Sequence, residues 1–217
     1  MIRLTMSVCI GLATAATAAA QPASASASRG YVEVVAHSAF GNVTSQSYGV
    51  EAGATVNNGL QVFGEVGRVK NVATTGLSAS AQQIAGALTQ VQSAAVGYSV
   101  REPVTFYGGG VRYQFVLPQS KMVPYVQGGF GVATVTKEVS FQLGGVDATP
   151  ASLAPYVTIG GDLSGDFTKP MLIVGGGVVV PIWQRLIADL QYRFGRIFEE
   201  ATPINVNRAG LGLGVRF

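Results

Sequence analysis

The sequence predicts an all-β chain, an eight-stranded antiparallel up-and-down transmembrane β-barrel, with ten strands as the alternative count. Three observations carry that expectation. From Asn207 to Phe217 one face takes Ala209, Leu211, Leu213, Val215 and Phe217, while the other takes Arg208, three glycines and Arg216. Glycine supplies 29 of 217 residues and only 12% are charged, against usual fractions of roughly 7% and 25%. The longest apolar stretch, Met171 to Trp183, is interrupted by Gly175, Gly176, Gly177 and Pro181 and falls short of the ~20 residues that a spanning helix needs. Apolar surface without apolar runs points to strands, whose side chains alternate between two faces.

The elements follow in order. Met1 to Ala20 carries a basic Arg3, an apolar stretch from Met6 to Ala13 and the small residues Ala18, Ala19 and Ala20, the pattern of a cleaved secretory signal peptide. Residues 21–29 are then a short spacer and 30–217 the barrel domain. Cys9, the one cysteine, falls in the signal, and Val8 before it does not suit a lipoprotein cleavage box. The exported chain has no thiol for a disulfide or a zinc site. Its net charge of +3, falling to +2 without Arg3, is too small and dispersed for nucleic acid.

Eight segments carry the alternation, at 30–38, 46–56, 60–70, 104–116, 123–136, 171–180, 186–197 and 205–217. Their connections alternate in length. Asn57-Asn58-Gly59, Leu117 to Met122 and Pro181 to Arg185 are short and rich in turn residues, whereas Val72 to Pro103 and Lys137 to Pro170 are long. With the N-terminus in the periplasm, every tight turn falls inside and every long loop outside, the topology of transmembrane barrels.

The faces support a polar interior. Glu33 and His37 oppose Val32, Val34 and Ala36; Glu51 lies with Gly49, Gly53 and Thr55; Asp189, Gln191 and Arg193 oppose Leu190, Tyr192 and Phe194. If these faces meet in the lumen, Glu33, Glu51, Glu65 and Asp189 form a charge network with Arg112, Arg193 and Arg208. A soluble barrel gives the same alternation with the faces exchanged, but bulky aromatics on the apolar face and glycine on the polar one favour the membrane. Tyr31, Tyr107, Tyr125, Trp183, Phe194, Phe198 and Phe217 are candidates for interfacial girdles. In the long connection from Val72 to Pro103, Ile84, Leu88 and Val91 recur at helical spacing, so a short helix or a strand extension is open there. Val139 to Leu143 and Tyr156 to Ile159 are candidates for a longer wall or an added hairpin.

The ending resembles the C-terminal signal of bacterial outer-membrane barrels. Gly212, Val215 and Phe217 match it, while Gly210 stands where a polar residue is usual. Pro124 to Gly131, Gly175 to Val178 and Leu190 to Phe194 resemble the strand phrases of the small outer-membrane barrel family, which includes the transmembrane domain of outer-membrane protein A, outer-membrane protein X and the opacity proteins. The resemblance spans about Tyr31 to Phe217. It implies location in the bacterial outer membrane, contact with outer-membrane lipids, handling by the barrel assembly machinery and a monomeric state. The peptidoglycan-binding domain that follows the barrel in outer-membrane protein A has no counterpart here, so that anchoring role does not carry over.

Catalysis on this architecture uses His/Ser or Asp/His arrangements. The one histidine, His37, neighbours Ser38, but adjacent strand residues point to opposite faces, which leaves Ser45 or Ser47 as partners. Gly128, Gly129 and Gly131 lie in a strand without the helix that would hold a phosphate. The expectation is a non-enzymatic structural or surface-interaction barrel without cofactor or metal, meeting a surface ligand through its long loops. The alternatives are a small porin-like channel and, behind it, a lipid-modifying barrel enzyme.

Overall fold

The computed structural model describes residues 29–92, 95–115, 117–118, 120–148, 153, 163–199 and 202–217. The predicted signal peptide, most of the spacer and Tyr156 to Ile159 lie outside the described residues. Eight antiparallel strands close a ring: β1 (Gly30–Phe40), β2 (Ser45–Asn57), β3 (Leu60–Val69), β5 (Val104–Gln114), β6 (Val123–Leu143), β8 (Gly165–Pro181), β9 (Leu186–Ile197) and β10 (Ile204–Arg216). Closure is made by β1 on β10 and by β6 on β8. Two short strands, β4 (Val96–Arg101) and β7 (Val146–Asp147), pair with the far part of β6 outside the ring. The eight and the ten therefore describe different things, the closed wall and the wall plus its extension.

Alternation dictates the wall. On β1 Tyr31, Glu33, Val35, His37 and Ala39 are buried inside the ring, and Val32, Val34 and Phe40 stand outside. Val34 is flanked by Val50 on β2 and Leu213 on β10, so one apolar row runs across three strands. Val34, Leu213 and Phe130 are 60%, 55% and 70% exposed, a surface that only hydrocarbon can cover at low cost. The closed ladder leaves no open edge in that layer.

The ring has a turn end and a loop end. At the turn end Asn58-Gly59 joins β2 to β3, with Gly59 at φ +80°, a backbone that glycine adopts without strain. At the loop end β6 runs on to Leu143 and β8 begins at Gly165, past the limits of 136 and 171 that the alternation suggested. The extra length pairs β6 with β8 as far as Lys137 and Gly165, and then with β4. Charged residues on those extensions blurred the apolar pattern there.

The long connection from β3 to β5 contains both structures left open above. Helix α1 (Thr75–Gln92) precedes β4. Thr74 caps it, its Oγ1 accepting from the Leu77 N–H at 3.3 Å, the bond expected of an N-cap threonine. The buried stripe is Leu77, Ala81, Ala85 and Leu88, with Ile84 half-buried and Val91 exposed, rotated from the expected one. Ala85 and Leu88 pack on Phe141 of β6 and on Leu153. Small alanines let the helix approach closely, which apolar periodicity alone undervalues.

Candidate functional site

The interior of the ring divides into layers. At the turn end Tyr31, Tyr125, Val179 and Ile187 form a buried cluster beside a cavity of about 460 Å³ lined by Gln61, Arg112 and Arg216 among others. Tyr31 and Tyr125 thus leave the girdle proposed from their places near strand ends. Their parity with Glu33 and Gln127 puts them inside. Tyr107, Trp183, Phe198 and Phe217 are exposed on the ring's surface, and Phe194 is half-buried.

Space for such large side chains comes from glycine on the neighbouring strand. A Cβ on Gly53 would lie 2.3 Å from the Tyr31 ring, and one on Gly67 2.4 Å from Phe106. The inward glycines are the other half of each bulky residue.

The next layer is charged. Arg112, on β5, contacts Glu51 through Nη2, which also lies 3.6 Å from Glu33 and 3.8 Å from Asp189. Its Nε donates to Gln127 Oε1 at 3.0 Å, and its guanidinium sits 4.0 Å and 4.5 Å from the ring centres of Tyr125 and Tyr31, within cation–π range. The tyrosine hydroxyls donate to Glu51 at 2.6 Å and to Asp189 at 2.7 Å. Arg193 lies 2.8 Å from Glu51 and donates to Gln191 at 2.8 Å. Arg208 meets Glu65 at 3.3 Å and stacks 4.2 Å from the Phe106 ring centre.

All seven predicted charged residues therefore point inward, in two groups: Arg112 and Arg193 with Glu33, Glu51 and Asp189, and Arg208 with Glu65. The three arginines and Asp189 are fully buried. Sequence reasoning missed Tyr31, Tyr125 and Gln127 in the polar frame, to which Gln191, read as inward, also belongs. Strand parity was the available signal.

Toward the loop end the same faces turn apolar. Twelve buried residues form one cluster there, among them Val69, Val104, Phe106, Val135, Met171, Ile173, Ile197 and Ile204. Between the layers His37 stands opposite Ser47 in register, both buried, and no hydrogen bond joins them; Ser38 points outward.

Above the apolar cluster Glu102 ties the long connection from β3 to β5 together. Its carboxylate accepts from the Thr74 N–H, and its own N–H donates to Asn71 Oδ1 at 2.9 Å. Burial raises the Glu102 carboxyl above the usual range, against the lowering effect of the Thr74 bond.

At the seam Phe217 N–H donates to Gly30 O at 3.0 Å and Arg29 N–H to Phe217 O at 2.6 Å. Val215 and Phe217 face outward, and Gly212 is buried next to Gln191 and Glu33.

A family model for the outer membrane protein beta-barrel domain matches residues 10–217. The chain belongs to this family. Its members' place, the bacterial outer membrane, accounts for the apolar outer surface of the ring. Neisserial surface protein A, a solved structure, is similar at 20% identity and TM-score 0.55, the match covering 88% of this chain and 98% of that one. Ail, the attachment invasion locus protein of Yersinia pestis, matches at 13% identity and TM-score 0.47, covering 88% and 99%. The N-terminal β-barrel domain of Pseudomonas aeruginosa OprF matches at 16% and 0.47, covering 86% and 97%. At 20% identity the likeness to Neisserial surface protein A is one of fold alone. No curated protein sequence matches the chain.

Proposed function

We propose that this outer-membrane barrel is a non-enzymatic, monomeric structural or surface-interaction protein, with a lumen closed by its own side chains. The observation that carries this reading is the stacking of the two inner layers. Ions entering from the turn end meet paired charges and then hydrocarbon, and ions entering from the loop end meet the two in the reverse order. An eight-stranded ring is only wide enough for side chains to fill, and buried arginines held by carboxylates and tyrosines form no water path. The same burial argues against catalysis at His37 and Ser47, which lie beneath the apolar cluster.

In this reading the loop end faces outside, so that α1, β4 and the extension of β6 meet surface ligands, and the turns face the periplasm. Gly212, Val215 and Phe217 direct recognition by the barrel assembly machinery. The competing small-channel reading needs a continuous aqueous path through both layers. Full-length protein in planar bilayers should show no steady conductance, alongside heat-dependent migration on a denaturing gel that reports the folded barrel. A persistent ohmic channel would replace this reading with the channel.

A further inference from the structure

We propose that Arg68, Lys70 and Arg101 form a binding site for the phosphate of an anionic glycolipid in the outer leaflet. The inference rests on the reading above that the loop end faces outside.

Register places these cations at a boundary. The outward row Val50, Val66, Tyr107 and Val132 runs across β2, β3, β5 and β6 and is apolar throughout. The next outward row toward the loop end is Tyr48, Arg68, Thr105, Thr134 and Thr168, and it is polar. Thr134 and Thr168 share a hydrogen bond of 2.8 Å across β6 and β8. The wall changes from a surface suited to acyl chains to one suited to head groups within one step of the ladder, and Arg68 stands in the first polar row.

A groove of about 540 Å³ opens at that position, lined by Tyr48, Arg68, Lys70, Asn71, Arg101 and Glu138 among others. It gathers three cations and one carboxylate from β3 and its end, β4 and β6. Arg68 projects from β3, Lys70 directly follows that strand, and Arg101 of β4 lies in register with Glu138 of β6. Among the described residues none of the three cations has an ion pair; Lys70 Nζ donates to Gln46 Oε1 at 2.6 Å. An unpaired guanidinium fork held on a strand suits the bidentate geometry of phosphate.

The groove commits to a lipid through its lower wall. Tyr48 is 49% exposed and lies one ladder step above Val50, so a ligand held by its phosphate would lay its hydrocarbon along the apolar row. A free anion would use only the upper half. Basic groups at a membrane surface contribute individually modest but cumulative attraction to anionic head groups.

The full chain, folded in zwitterionic detergent, should retain bis-phosphorylated lipid A in native mass spectrometry and retain dephosphorylated lipid A poorly. The double variant R68Q/R101Q should weaken retention about tenfold or more, from the loss of two surface charges, with heat-dependent migration unchanged. Glu138→Gln should strengthen it. Equal retention by the double variant, equal retention of the dephosphorylated lipid, or complete displacement by equimolar pyrophosphate would overturn the lipid site. A folded barrel with no phosphate-dependent retention overturns the site alone. Failure to form a heat-modifiable barrel overturns the outer-membrane reading with it.

Discussion

The two inner layers line one ring by opposite chemistry, although the same strands and faces build both. The charged layer is directional. Arg112 must reach from β5 to Glu51 on β2 while Tyr31 and Tyr125 hold the carboxylates, so a one-residue slip would send these groups to the lipid side. The apolar layer is tolerant: Met171, Ile173, Ile197 and Ile204 fill space without fixed partners, each such burial contributing about 1.5–3 kcal/mol. The first layer fixes the register and the second adds stability, because buried ion pairs give little net stability yet are costly to break.

The comparison is broken most sharply by Arg112→Ala. Removing the guanidinium leaves Glu51, Glu33 and Asp189 with Arg193 alone, and should destabilise the folded barrel by about 3–5 kcal/mol. Ile173→Ala in the other layer should cost about 2–5 kcal/mol, by the loss of buried contacts and the cavity left behind, and should fall below Arg112→Ala in the same urea titration in lipid vesicles. Neither variant alone should conduct, since each leaves one layer shut; the double variant should. Conduction by Ile173→Ala alone would show that the charged layer is no barrier.

The next effect sharpens the contrast between inside and outside. Leu213 faces outward between Val34 and Ala188, and Leu213→Arg should destabilise by about 2–4 kcal/mol if it lies near the bilayer midplane. The same titration reads it. A harmless Leu213→Arg would exchange the assigned faces.

Much of this was legible in the sequence because strand alternation is a strict code. Once Glu33 faces in, the inward position of Tyr31 and Ala39 is fixed as well. The charged residues stood out because ionisable groups are rare in this chain. The apolar layer went unread although it obeys the same parity: Asp189 to Ile197 and Glu65 to Val69 are even steps along one face. Expecting one polarity for the whole lumen concealed that change. The grouping of Arg68, Lys70 and Arg101 was unreadable for another reason. It depends on β4 returning to the extension of β6, a pairing that no local pattern announces.

The smallest effect lies above both layers, at the clasp between Glu102 and the N-terminus of α1. Burial raises the Glu102 carboxyl, so between its ordinary value and the raised one the folded clasp holds a proton that the opened clasp releases. The resulting stability is fully present below the ordinary carboxyl value of about 4.3 and is lost as pH rises through the raised one. Amide-exchange protection of residues 75–92, corrected for the intrinsic exchange rate, should therefore decline as the buffer passes from about pH 4 to neutrality. Glu102→Gln keeps an acceptor for the Thr74 N–H without the charge, and should make protection independent of pH over that range. Protection that rises with pH would mean that the charge-assisted bond to Thr74 outweighs burial, reversing the sign for the clasp while leaving the two layers below it unchanged.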